Sequence, residues 1–159
     1  MPDTATQKGM TQQPDGVHRL VVTHVEGDAY AAVVRGHRVL VDQPANAGGA
    51  DAAPTPTELF AASLATCIAF YSGRYLLRHG LPREGLQVRT DFTMAVDRPA
   101  RVVAVHVVIV PPPGLPERRR AGLLAVASHC TVHNTLQRLP EIGIELEPNP
   151  VGTSPLAHR

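Results

Sequence analysis

Alternating apolar and polar residues predict three short strands in the N-terminal part of the chain. Residues 17–25 and 29–34 are rich in β-branched side chains, and residues 38–41 repeat the pattern after a short turn. Residues 42–54 contain two prolines and two glycines, which interrupt any regular pattern. The pattern therefore predicts three antiparallel strands joined by tight turns, followed by a long loop.

A helical pattern replaces the alternation after residue 54. Thr55 can accept an N–H bond as the N-cap, Pro56 suits the first helical position, and Glu58 completes a capping box. Gly80 is a typical residue for the end of this helix. Residues 59–70 are apolar on nearly every side, which predicts a helix that is buried on all sides.

The second half of the chain contains two alternating segments joined by a turn, then two helical segments and a last alternation. The predicted strands are 86–96, 101–110 and 141–147, and the predicted helices are 115–127 and 130–139. This order indicates an α+β fold with an antiparallel sheet. Since one small sheet covers only one side of an apolar helix, we expect a second subunit to cover the other side.

The composition indicates one globular domain and limits its partners. The 159 residues predict a domain at 17–147 between tails at 1–16 and 148–159 that we expect to be disordered. The net charge of +1 argues against binding to nucleic acid or acidic lipid. The N-terminus lacks an apolar signal segment, and no uncharged run reaches the ~20 apolar residues of a membrane span. We therefore expect a cytoplasmic protein with no nucleic-acid or membrane partner.

Cys67 and Cys130 are the residues best suited to carry chemistry. In a reducing compartment, two cysteines favour a transient disulfide over a permanent one. Cys67 lies in the apolar helix, where a free cysteine is usually a small buried hydrophobe. Cys130 lies at a predicted helix start, which lowers a thiol pKa, and His133 would share its helical face. These residues and His129 lack the paired spacing of structural zinc sites, so we expect no metal.

Two blocks of sequence resemble the OsmC/Ohr family of osmotically inducible and organic hydroperoxide resistance proteins. The first is PTPTELFAASLATC at 54–67, preceded by DQP at 42–44 and GGAD at 48–51. The second is CTVHNTL at 130–136. The order of predicted elements is also similar over 17–147. The resemblance implies an OsmC-like fold, an intertwined homodimer whose antiparallel sheets wrap two long central helices.

The resemblance also implies a thiol-dependent peroxidase of oxidative stress defence that needs no cofactor. Cys67 would attack an organic hydroperoxide and become a sulfenic acid, and Cys130 would condense with it to a disulfide. A dithiol reductant would then restore both thiols. The alternative is an OsmC-like protein that senses redox state or binds a small ligand in an apolar cleft without efficient turnover.

The sequence departs from the family pattern at two positions. Well-characterised members have a glutamate ten residues before the first cysteine, where this chain has Thr57. Glu58 follows one residue later, about 100° further around a helix. The activating arginine of the family has Arg35 and Arg38 as its nearest counterparts. Because burial alone raises a thiol pKa, Cys67 needs a cation nearby. We therefore take Arg35, Arg38 and Glu58, together with His133, as candidate supporting residues.

Overall fold

Three antiparallel strands form the N-terminal part of the computed structural model, which describes residues 16–148. Predictions for residues 1–15 and 149–159 lie outside the described residues. The strands pair in the order β1-β2-β3, and positive φ angles at Gly27 and Gly36 allow the tight turns between them. They are β1 (Val21–Glu26), β2 (Ala29–Val34) and β3 (His37–Val41).

The loop after β3 is organised around a buried carboxylate. Asp42 is 1% exposed, and it accepts backbone N–H bonds from Gln43 at 2.8 Å, Ala50 at 3.1 Å and Ala52 at 3.0 Å. The bonds from Ala52 and Gln43 hold the pKa of Asp42 below its usual value. Gly49 is required here, since a Cβ would lie 1.9 Å from the Gln43 carbonyl oxygen. Asp42 thus fixes the path of the chain between β3 and the long helix.

The long helix α1 (Pro56–Arg78) starts with the predicted capping box. The Glu58 N–H donates to Thr55 Oγ1 at 3.2 Å, and the Thr55 N–H donates to Glu58 Oε2 at 2.7 Å. The helix ends at its C-cap His79, and Gly80 follows with φ +66°. The predicted bounds are therefore confirmed. The buried residues of α1 are Ala61, Leu64, Ile68, Ser72, Gly73, Tyr75 and Leu76.

A two-stranded antiparallel sheet and two helices pack around α1. These elements are β4 (Gln87–Met94), β5 (Val102–Val110), α2 (Glu117–Ala127) and α3 (Thr131–Gln137). All four contact α1, and the core lies between them. Its most buried members are Leu64, Ile68, Ala127 and Cys130. The α+β class and the antiparallel pairing are confirmed, with two small sheets in place of a single sheet.

The predicted strand at 141–147 is not formed in the structure. These residues have no regular secondary structure, and Ile142, Ile144 and Leu146 are 81%, 94% and 96% exposed. The alternation of apolar and small or polar residues favours an extended conformation, but a strand also needs a neighbouring strand to receive its hydrogen bonds. No strand within the described chain pairs with this segment.

A single chain also leaves apolar residues of α1 and β1–β3 uncovered. Phe70 and Leu77 of α1 are 58% and 57% exposed, so one chain by itself does not cover the apolar helix on all sides. In the three-stranded sheet the exposed apolar residues include Val21, Val22, Val25, Val33 and Val39. Among residues 16–148, no helix is long and apolar enough to cross a membrane.

Candidate active site

The fold brings the two cysteines into contact. Cys67 lies in the middle of α1, and Cys130 is the N-cap of α3, which packs on α1. Both are free thiols in the same core cluster, and Cys67 lies near enough to Cys130 to raise the pKa of its thiol. Residues far apart in sequence thus form one site, as a transient disulfide requires.

Backbone N–H groups in the first turn of α3 reach both sulfurs. The Val132 N–H donates to Cys67 Sγ at 3.5 Å, and the His133 N–H donates to Cys130 Sγ at 3.4 Å. These groups have no carbonyl partner within the helix because they lie in its first turn. A partial positive charge therefore faces Cys67 as well as Cys130, although Cys67 lies in the middle of a different helix.

Burial distinguishes the two thiols. Cys130 is 0% exposed, and this burial raises its pKa above the usual value for a thiol. The His133 N–H opposes the increase, whereas the neighbouring Cys67 adds to it. The expectation that the helix start lowers the Cys130 pKa is therefore wrong, because burial outweighs the N–H groups. Cys67 is partly exposed.

A hydrogen bond between side chains of α1 and α3 borders the two sulfurs. The Tyr71 hydroxyl and Thr131 Oγ1 are 3.0 Å apart. Tyr71 lies four residues after Cys67, on the same face of α1, and Thr131 directly follows Cys130. Tyr71 was not among the residues predicted for the site, although its spacing of four residues from Cys67 is a usable signal.

The side chain of His133 is turned away from Cys130. Its Nδ1 donates to the Ser128 carbonyl, and the Gln137 side-chain amide lies 3.4 Å from its Nε2. Only the backbone N–H of His133 reaches the sulfur. The ring thus ties the turn before α3 to the helix.

Glu58 and the two candidate arginines lie elsewhere in the single chain. The Glu58 carboxylate accepts bonds from the Thr55 N–H and hydroxyl, and both lower the pKa of Glu58. Arg35 lies in the turn between β2 and β3, and Arg38 is exposed on β3. Packing of α1 involves β4, β5, α2 and α3, so the described chain brings neither arginine to Cys67.

An apolar cavity of about 560 Å³ lies between α1, β5 and α2. Ser128 and His133, on either side of Cys130 in the sequence, reach its wall, whereas neither cysteine is part of that wall. Leu64 and Ile68, which lie on either side of Cys67 in the sequence, contribute its wall on α1. Strand β5 and helix α2 supply further apolar walls, and Arg120, Ser128 and His133 add the polar ones. Among residues 16–148, no group of three or more His, Cys, Asp or Glu side chains is arranged to hold a metal ion. Thiol chemistry next to an apolar cavity is what this arrangement supports.

Comparison with known proteins gives one family. A family model described as OsmC-like protein matches residues 48–145. No curated protein matches the sequence significantly. Several solved structures are similar to this chain.

The first is an osmotic stress induced and detoxification response protein from Psychrobacter arcticus, with 25% sequence identity and a TM-score of 0.69. The match covers 78% of this chain and 91% of that protein. The second is an OsmC like protein from Mycoplasma pneumoniae, with 14% sequence identity and a TM-score of 0.67. The match covers 79% of this chain and 91% of that protein. The third is an organic hydroperoxide resistance protein OsmC from Legionella pneumophila, with 18% sequence identity and a TM-score of 0.56. The match covers 78% of this chain and 93% of that protein. The last two similarities concern the fold alone.

Proposed function

Because this chain belongs to the OsmC-like family, whose model matches residues 48–145, we propose that it is a thiol-dependent peroxidase. Its substrate is an organic hydroperoxide, and its role is cytoplasmic defence against oxidative stress. The observation that carries the proposal is the contact between the free thiols of Cys67 and Cys130 beside an apolar cavity.

Cys67 carries out the first step. Its thiolate attacks the terminal oxygen of the hydroperoxide, the O–O bond breaks, and the alkoxide takes up a proton and leaves as an alcohol. The sulfur is oxidised by two electrons to a sulfenic acid. Two features support this role: Cys67 is the more exposed thiol, and the Val132 N–H points at its sulfur.

Cys130 carries out the second step. Its sulfur attacks the sulfenic sulfur of Cys67, the S–S bond forms, and the hydroxyl group leaves as water. The raised pKa keeps Cys130 a thiol at neutral pH, so it does not compete for the hydroperoxide. An external dithiol then opens the disulfide by thiol exchange and becomes a disulfide itself.

The cavity supports an alkyl or lipid hydroperoxide as the substrate. Its volume of about 560 Å³ suits a small organic molecule, and its walls come mainly from apolar side chains such as Leu64, Ile68 and Val107. An alkyl chain gains free energy by leaving water for such a surface, whereas hydrogen peroxide has no apolar part to bury. No cofactor takes part in the proposed cycle.

The active form that we propose is an intertwined homodimer. The exposed alternating segment 141–147 and the uncovered apolar residues of β1–β3 support a second copy as the missing partner. A dimer also offers a source for the cation at Cys67, namely Arg35 or Arg38 of the partner subunit. Such a cation would favour the thiolate that attacks the hydroperoxide.

The test compares the reduced full-length protein with its two single-cysteine variants. Cumene hydroperoxide is the substrate, dihydrolipoamide is the dithiol, and the remaining hydroperoxide is measured. We expect Cys67→Ser to abolish consumption. We expect Cys130→Ser to consume about one equivalent without the dithiol and to hold a sulfenic acid that dimedone traps. Full turnover by Cys67→Ser would contradict the proposal.

The same experiment separates the alternative functions. Stoichiometric oxidation of Cys67 without turnover in excess dithiol would indicate a redox sensor. The absence of any cysteine oxidation would indicate a small-ligand-binding protein that uses the apolar cavity. A metal chelator is expected to leave the rate unchanged.

A further inference from the structure

We propose that Tyr71 is a positioning residue for the formation of the Cys67–Cys130 disulfide, an inference that rests on the proposed peroxidase function. Tyr71 lies one helical turn after Cys67 on α1, and Thr131 is the first residue of α3 after Cys130. The Tyr71 hydroxyl and Thr131 Oγ1 form a hydrogen bond of 3.0 Å. This bond therefore joins the two helices beside the contact between the sulfurs.

Helix α3 needs such a tether because it has little stability of its own. It has seven residues, far fewer than an isolated helix needs to form in water, and none of them is buried. Val132 and Leu136 pack against the core only in part. The chain that follows α3 is exposed and has no regular secondary structure. The polar contacts of the first turn therefore contribute much of what fixes α3 on α1.

The position of this first turn controls the second chemical step. Condensation needs the two sulfurs at bonding distance and correctly oriented, and small displacements lower the rate of such reactions strongly. Cys130 moves with α3, since it is the N-cap of the helix and its sulfur accepts the His133 N–H. Cys67 is held independently by α1. Loss of the tether should therefore slow disulfide formation more than the initial attack on the hydroperoxide.

The direct test is Tyr71→Phe, which removes the hydroxyl and keeps the ring. Reduced protein receives one equivalent of cumene hydroperoxide, and mass spectrometry follows the sulfenic, disulfide and sulfinic forms over time. We expect disulfide formation to slow by about 5- to 10-fold, the effect of losing one hydrogen bond. A longer-lived sulfenic acid should also give more sulfinic acid at excess hydroperoxide. The initial oxidation rate should fall less than the rate of disulfide formation, because Cys67 stays on α1 and only the Val132 N–H bond to its sulfur moves with α3.

Three further variants distinguish positioning from a general loss of stability. Tyr75→Phe is the matched control, since the Tyr75 hydroxyl donates to the Arg119 carbonyl on α2 at 3.2 Å, and it should behave like the wild type. Thr131→Val should reproduce the defect of Tyr71→Phe without adding to it in the double variant. Thr131→Ser keeps the hydroxyl and should retain normal disulfide formation. Equal rates in Tyr71→Phe, Thr131→Val and the wild type would overturn the inference.

A second measurement does not depend on peroxidase activity. In glutathione redox buffers, the equilibrium between the dithiol and the disulfide of the full-length protein reports the effective concentration of one thiol at the other. We expect this value to fall about 5- to 10-fold in Tyr71→Phe and to stay unchanged in Tyr75→Phe. If the wild type does not reduce hydroperoxide but its effective concentration exceeds that of Tyr71→Phe, the proposed function fails and the positioning role stands. If hydroperoxide is reduced and neither measurement differs, only the positioning role fails.

Discussion

At the scale of single residues, the two thiols receive similar backbone N–H bonds but differ in exposure. Val132 and His133 supply these bonds to Cys67 and Cys130 at 3.5 and 3.4 Å. Cys130 is fully buried, and burial raises its pKa. The difference supports the proposed roles, because a nucleophile must meet its substrate and a resolving thiol must meet only its neighbour.

We predict from this difference that Cys67 is alkylated before Cys130 as the pH rises. Iodoacetamide reacts with thiolates, so the buried thiol of Cys130 should need a pH above the usual ~8.5 for half-maximal reactivity. The measurement uses Cys67→Ser and Cys130→Ser, each with one remaining thiol. In urea both variants should titrate alike, since unfolding removes the burial. Faster alkylation of Cys130 than of Cys67 at pH 7 would reverse the proposed roles.

The residues of the site were predictable to different degrees. Cys67 and Cys130 could be predicted from the sequence, because each lies in a short block of residues that also contains the start of a helix. Their relative acidity was not predictable, because burial depends on how α3 packs on α1. The position of Tyr71 on the same helix face as Cys67 could be predicted from its spacing of four residues. Its hydrogen bond could not be predicted, because the partner Thr131 lies on another helix. Contacts between distant elements are thus the information that local patterns lack.

At the scale of elements, the helix start and the loop before it follow from local signals. The capping box of Thr55 and Glu58 forms as predicted, because its hydrogen bonds join residues three apart. The strand at 141–147 does not form, because its alternation specifies a face but supplies no partner strand. The division of residues 17–147 into two small sheets likewise depends on long-range pairing.

The loop around Asp42 predicts how stability depends on pH. Its carboxylate is stabilised as an anion, so the pKa of Asp42 is lower in the folded chain than in the unfolded one. The resulting stabilisation is complete above the usual Asp pKa of about 4 and disappears as the pH falls through the folded value. Thermal unfolding from pH 7 to pH 3 should therefore show a falling midpoint, with a flatter pH dependence for Asp42→Asn.

Two variants serve as comparisons in this experiment. Asp91→Asn replaces an exposed carboxylate on β4 and should keep the pH dependence of the wild type. Glu58→Gln, like Asp42→Asn, should make the unfolding midpoint depend less steeply on pH, since bonds from Thr55 also lower the pKa of Glu58. An unchanged slope in Asp42→Asn would show that the loop carboxylate does not couple protonation to folding.

At the scale of the whole molecule, a single chain leaves apolar surface exposed on the segment after α3 and on one face of α1. Ile142, Ile144 and Leu146 alternate with other residues along the segment after α3, and their side chains remain almost fully exposed. Phe70 and Leu77 of α1 are more than half exposed as well. An exposed apolar segment and an uncovered helix face in one chain are the surfaces that the proposed dimer would bury.

The last prediction concerns this interface. Sedimentation equilibrium should show the wild type as a dimer at micromolar concentration. Burying one isoleucine contributes about 1.5 to 3 kcal/mol, so Ile144→Asp should weaken the dimer by at least about tenfold. Glu145→Gln, a neighbouring substitution on the opposite side of the alternation, should leave it intact. If the cation at Cys67 comes from the partner subunit, hydroperoxide reduction by Ile144→Asp should fall in parallel with the fraction of dimer. A stable wild-type monomer at these concentrations would contradict both the dimer and the partner's role in the site.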